Sequence, residues 1–126
     1  MKRDKIVYWA ATSLVVLSLG FAGFAYFTDP AVAAGFKHLG FPAYFRAELG
    51  IAKIIAALVL IIPAVPAQIK EWAYAGVGIT FISAAIAHIS SGDPLGMVIS
   101  PLVFFGILVV SYRYAHKVHA LHGQLA

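Results

Sequence analysis

Four long apolar stretches, around 6–27, 42–62, 72–90 and 95–114, take up most of the 126 residues. Each approaches the roughly 20 residues that a helix needs to cross a hydrocarbon core about 30 Å thick. A backbone group left unpaired in lipid costs several kcal/mol, so such stretches must form helices or a closed barrel, and the alternating ten-residue strands of a barrel are missing. The chain therefore reads as an all-α integral membrane protein: a four-transmembrane-helix bundle forming one domain over residues 1–126. With 62% of residues hydrophobic and only 11% charged, against roughly a quarter charged in soluble proteins, little is left for a separate soluble domain. Any chemistry is expected between the helices or in the short loops.

The charged residues orient the spans. Lys2, Arg3 and Lys5 precede span one, Lys70 lies between spans two and three, and Arg113 and Lys117 follow span four, so six of the nine basic residues share one side. Loops rich in Lys and Arg stay in the cytoplasm, which predicts both termini there. Tyr8, Trp9, Trp72, Tyr74, Tyr112 and Tyr114 are expected to form the aromatic belt on that side, with Tyr26 and Tyr44 near the other. The net charge of +4 is topogenic rather than a nucleic-acid footprint, because the cations flank apolar segments instead of forming one patch. Lys2 to Lys5 before an apolar run imitates a secretory signal, but the run exceeds the usual h-region of roughly 7 to 15 residues, so span one is expected to be retained. Cysteine is absent, which excludes disulfides, thiolate metal sites and thiol redox relays within this chain.

Asp29-Pro30 combines an N-cap with proline at the first helical position. A short extra helix over about 30–38, in the first outer loop, is predicted to lie on the surface. Asp93-Pro94 repeats the signal ahead of span four, Pro63 and Pro66 close span two, and residues 115–126 form a cytoplasmic tail.

Span two holds the ionisable residues Arg46, Glu48 and Lys53, with Lys53 near its middle. A lysine at the bilayer centre costs about 2.5 to 3.5 kcal/mol on insertion scales, which marks it as a functional candidate. At about 100° per residue, Arg46, Gly50, Lys53 and Ala57 share a narrow sector, two cations with two small residues that leave space before them. Such a face suits a carbonyl, a quinone headgroup, an anion or a carboxylate of the same protein. The competing reading has Lys53 snorkelling to the interface. Span three carries Gly76, Thr80, Ser83 and Ala84 on one side and isoleucines on the other, a face for close packing on which Thr80 and Ser83 can also donate to a ligand. His88 lies beside Asp93, either as a proton acceptor or as part of a hydrogen-bonded loop cap. His116, His119 and His122 in the tail are spaced for a helix face, but without a carboxylate or thiolate they are expected to meet anionic headgroups rather than a metal.

The blocks Phe27-Thr28-Asp29-Pro30, Lys37-His38-Leu39-Gly40-Phe41-Pro42-Ala43-Tyr44-Phe45, Gly50-Ile51-Ala52-Lys53, Lys70-Glu71-Trp72-Ala73-Tyr74-Ala75-Gly76, Ala87-His88 and Gly92-Asp93 together resemble the DoxX-like family. The resemblance covers roughly residues 15 to 105. It implies a small four-helix protein of the bacterial inner membrane and a connection to quinones or membrane redox complexes, with Lys53, Glu71, Trp72, His88 and Asp93 at motif positions.

Three functions remain open at this stage. One is an accessory or binding subunit that holds a hydrophobic small molecule such as a quinone beside an oxidoreductase partner. Another is a small membrane enzyme using Glu48, Lys53 or His88 for acid-base chemistry on a lipid-soluble substrate. The last is a structural or assembly protein, a homo-oligomer built on small-residue faces such as Gly76, Thr80 and Ala84 or Gly20 and Gly23. The pocket candidates are Arg46, Glu48, Lys53, Thr80, Ser83, His88 and Asp93, in a site opening toward the outer half between spans two and three.

Overall fold

The computed structural model describes residues 2–125, with side chains as far as Val118. It is all-helical, with five helices among the described residues: α1 (Lys2–Thr28), α2 (Pro30–His38), α3 (Ala43–Ile61), α4 (Ala67–Ser90) and α5 (Leu95–Leu125). Three of them, α1, α4 and the Leu95–Val118 part of α5, are long and apolar enough to cross a membrane. Length and composition thus support three of the four expected spans. The exception is α3, because Arg46, Glu48 and Lys53 fall within its 19 residues.

The four long helices pack as a ring in the order α1, α3, α4, α5, running up and down, with the short α2 laid against the adjoining ends of α1 and α3. Where α1 meets α3 the backbones approach closely. A Cβ at Gly50 would come within 2.8 Å of Phe27 Cε2 and 3.2 Å of the Tyr26 Cβ, and one at Gly23 within 3.0 Å of the Gly50 carbonyl. Gly50 therefore does not open space in front of the cations, as the helical wheel suggests; α1 fills that space. Gly23, expected on an oligomer face, is likewise buried against α3.

The terminal end of the ring is built around a buried polar knot. The Ser111 hydroxyl lies 2.6 Å from both the Thr12 hydroxyl and the Tyr74 hydroxyl, tying α5 to its two neighbours α1 and α4, which stand diagonally across the ring from each other. Tyr8 and Tyr74, expected in the aromatic belt, are buried in the core, whereas Trp9 and Trp72 are exposed. The two tyrosines can take the interior because their hydroxyls are satisfied there, that of Tyr74 by Ser111 and that of Tyr8 by Thr12 and Tyr74. Lys70, expected between spans two and three, lies in the first turn of α4 and is only 4% exposed. Its Nζ reaches the Leu60 carbonyl at 3.4 Å, in the last turn of α3, where the final carbonyls lack helical partners. His116 also departs from expectation, since Glu71 Oε1 lies 2.9 Å from its Nε2. The side chains of His119 and His122 lie outside the described residues.

Candidate functional site

At the opposite end, two helices terminate in the same way and thereby build the site. In α4 the Asp93 amide bonds the His88 carbonyl and the Gly92 amide bonds the Ile89 carbonyl. In α2 the Phe41 amide bonds the Phe36 carbonyl and the Gly40 amide bonds the Lys37 carbonyl. Both are Schellman closures, which need a left-handed residue, and Gly92 (φ 71°) and Gly40 (φ 88°) supply it without a Cβ penalty. The α4 closure folds Asp93 back over His88, and the α2 closure leaves His38 on the last helical turn.

These turns converge on one carboxylate. Asp93 Oδ2 lies 2.7 Å from His88 Nδ1, and Asp93 Oδ1 lies 2.8 Å from His38 Nε2. The Asp93 side chain is only 10% exposed. The hydrogen bonds from His88 and then from His38 hold its carboxyl below the usual carboxylate range. Asp93 thus acts less as the expected cap of α5 than as the bridge that docks α2 onto the α4–α5 turn.

Below this bridge lies a cavity of about 620 Å3 between α2, α3 and α4. Its walls are mainly apolar, with Phe36, Phe41, Phe45 and Phe81 prominent, and its polar lining is Lys53, Thr80, Ser83, His88, His38 and Asp93. A volume in the range of about 300 to 1,000 Å3, apolar walls and a few convergent polar groups are the usual attributes of a small-molecule site. Lys53 and His88 also line an adjoining recess of about 380 Å3 toward α5, and Lys53 and Thr80 line another of about 410 Å3 along the α3–α4 seam.

Five of the seven residues expected from the sequence are thus brought to one cavity. Lys53 is half-buried, with its Nζ 5.0 Å from the centre of the Tyr26 ring and no carboxylate partner among the described residues. Thr80 donates its hydroxyl to the Gly76 carbonyl of its own helix at 2.9 Å, which leaves its oxygen as an acceptor toward the cavity. Arg46 and Glu48 do not join them. Arg46 Nη1 donates to the Tyr26 carbonyl at 2.7 Å, so its charge closes the end of α1. Glu48 is exposed and lies outside the cavity wall.

Two residues outside the expected set complete the site. Tyr26, expected in an interfacial belt, is half-buried; its ring packs edge-on against Phe36 with centroids 4.8 Å apart, beneath Lys53. His38 enters from α2. Its sequence signal is slight, a histidine just before a helix-ending glycine.

A model of the DoxX-like family matches residues 10–111, a stretch that contains this entire wall. The chain belongs to the DoxX-like family. No curated protein and no solved structure gives a significant match. The match of the DoxX-like chain runs from the polar knot at Thr12 and Ser111 to the Asp93 bridge, so both ends of the ring fall inside the family segment.

Proposed function

We propose that this DoxX-like protein is a binding or accessory subunit that holds a hydrophobic small molecule, a quinone being the type compound, in the cavity between α2, α3 and α4. The carrying observation is Lys53, a mid-helix ammonium that faces an apolar and aromatic cavity with no ion-pair partner among the described residues. A ring with carbonyl oxygens matches both parts: its face meets the phenylalanines and an oxygen meets the ammonium. The assembly-protein reading calls for a sealed core with Lys53 paired, and the open cavity at Lys53 speaks against it.

In this reading α3 crosses the bilayer with its neighbours, giving four crossings with both termini cytoplasmic in the bacterial inner membrane. At 1.5 Å per residue its 19 residues span about 28 Å; Arg46 and Glu48 lie near its first end and Lys53 at its middle. A cysteine-free chain allows a direct test. Single cysteines at Ala34→Cys and Ala64→Cys are expected to react with an impermeant maleimide from opposite sides of the membrane; labelling from one side would remove the fourth crossing.

The binding test is thermal unfolding of the purified protein with a panel of quinones, repeated with Lys53→Met. Stabilisation of the native chain that is lost in the variant supports the reading. Equal responses, or none in either form, would overturn it.

A further inference from the structure

The hydrogen-bond pattern around His88 narrows the class of ligand. A carboxylate only accepts hydrogen bonds, so the ring nitrogens that face Asp93 carry the protons: His88 at Nδ1 and His38 at Nε2. That fixes the tautomer of neutral His88 and leaves Nε2 as its lone-pair acceptor. No partner for Nε2 is found among the described residues, and the ring lines both the main cavity and the recess behind it. Lys53 lines the same two spaces. A base oriented by a carboxylate and a cation therefore share one apolar chamber.

We propose that the chamber takes a ligand with an acidic hydroxyl on an aromatic or enolic ring and holds it as the oxyanion. In that step the ligand O–H bond breaks and the proton passes to His88 Nε2. The electron pair stays on oxygen, opposite the Lys53 ammonium, and the imidazolium that forms is stabilised by Asp93. No electron is transferred and no further reactant is needed. The other titratable groups around the chamber act in the same sense or stand aside: His38 from α2 is engaged with the far oxygen of Asp93, and Tyr26 from α1 lies beneath Lys53. The α5 lining supplies only neutral groups such as Met97 and Ser100. This inference rests on the binding reading above and specifies the ligand for it.

The test uses a 3-alkyl-2-hydroxy-1,4-naphthoquinone, whose visible absorbance reports its own ionisation, titrated with the full chain in detergent micelles and in empty micelles. Bound to the native protein, the probe is expected to ionise at least about one pH unit lower than in empty micelles. Its O-methyl ether, which cannot ionise, is expected to bind about tenfold more weakly or worse. His88→Gln, whose amide still donates to Asp93, is expected to abolish most of the lowering, and Lys53→Met part of it. Asp93→Asn, which acts through His88, is expected to move the ionisation curve upward. Binding with an unshifted ionisation in the native chain, or equal affinity for the ether, would overturn the oxyanion assignment and leave the binding site standing. Failure of both probe and ether to bind would bring down the binding reading and this inference together.

Discussion

The Lys53 ammonium lies 5.0 Å from the centre of the Tyr26 ring, so the mid-helix charge of α3 rests on an aromatic face of α1 rather than on a carboxylate. A cation over an aromatic ring contributes about 0.5 to 2 kcal/mol, against about 2.5 to 3.5 kcal/mol to insert a central lysine. For the membrane-crossing α3 proposed above, the contact offsets only part of that cost, and the proposed ligand's oxygen would relieve the remainder.

Lys53→Met is accordingly expected to leave the ligand-free protein as stable as the native chain or to raise its melting temperature by a few degrees. The comparison is a thermal unfolding curve in micelles without ligand. A marked fall would mean that Lys53 is held by more than Tyr26 and is a structural group.

The Asp93 bridge carries a pH dependence of definite sign. Its carboxyl is held below the usual range by His88 and His38, so its contribution to stability is present above the unfolded value of about 3.9 and is lost as pH falls through the lower folded value. Hydrogen exchange of the α2 amides, corrected for intrinsic rates, is expected to show protection at pH 6 that disappears below about pH 4. With Asp93→Asn, α2 is expected to exchange faster at pH 6 and to lose the acid transition.

Ser111 is fully buried with two hydroxyl partners at 2.6 Å. Removing its oxygen takes one partner from each of the Thr12 and Tyr74 hydroxyls, and a lost buried hydrogen bond costs about 0.5 to 1.5 kcal/mol. Ser111→Ala is expected to lower the melting temperature, while the combination of Tyr8→Phe, Thr12→Val, Tyr74→Phe and Ser111→Ala recovers much of the loss. An additive series would show that the four hydroxyls do not act as a unit.

Much of the fold could be read because it obeys strong local rules. Asp29 caps α2, accepting from the Ala31 amide at 2.9 Å, and Pro30 opens the helix. Lys53 was legible because a charge in an apolar helix demands a reason, and the nearness of His88 to Asp93 followed from five residues and a glycine. The roles of Arg46 and Gly50 were not legible, although both fall on the expected face. One reaches a carbonyl of α1 and the other admits an α1 side chain, and a helical wheel of α3 carries no information about α1. His38 and Tyr26 were missed for the same reason: they enter the site only when α2 folds back over the ends of α1 and α3, a contact between segments that no periodicity records. The burial of Lys70 was not legible because a cation between two spans gives no hint of the carbonyls at the end of the preceding helix, which its ammonium reaches.

The most direct measurement is photolabelling of the protein in proteoliposomes with an azido-naphthoquinone, followed by peptide mapping. The account predicts adducts concentrated on the wall from Phe36 to Lys53 and on the stretch from Ile79 to His88, reduced by competing unlabelled quinone and by Lys53→Met. Adducts spread over the outward faces of α1 and α5, unchanged by competitor or by the variant, would contradict it.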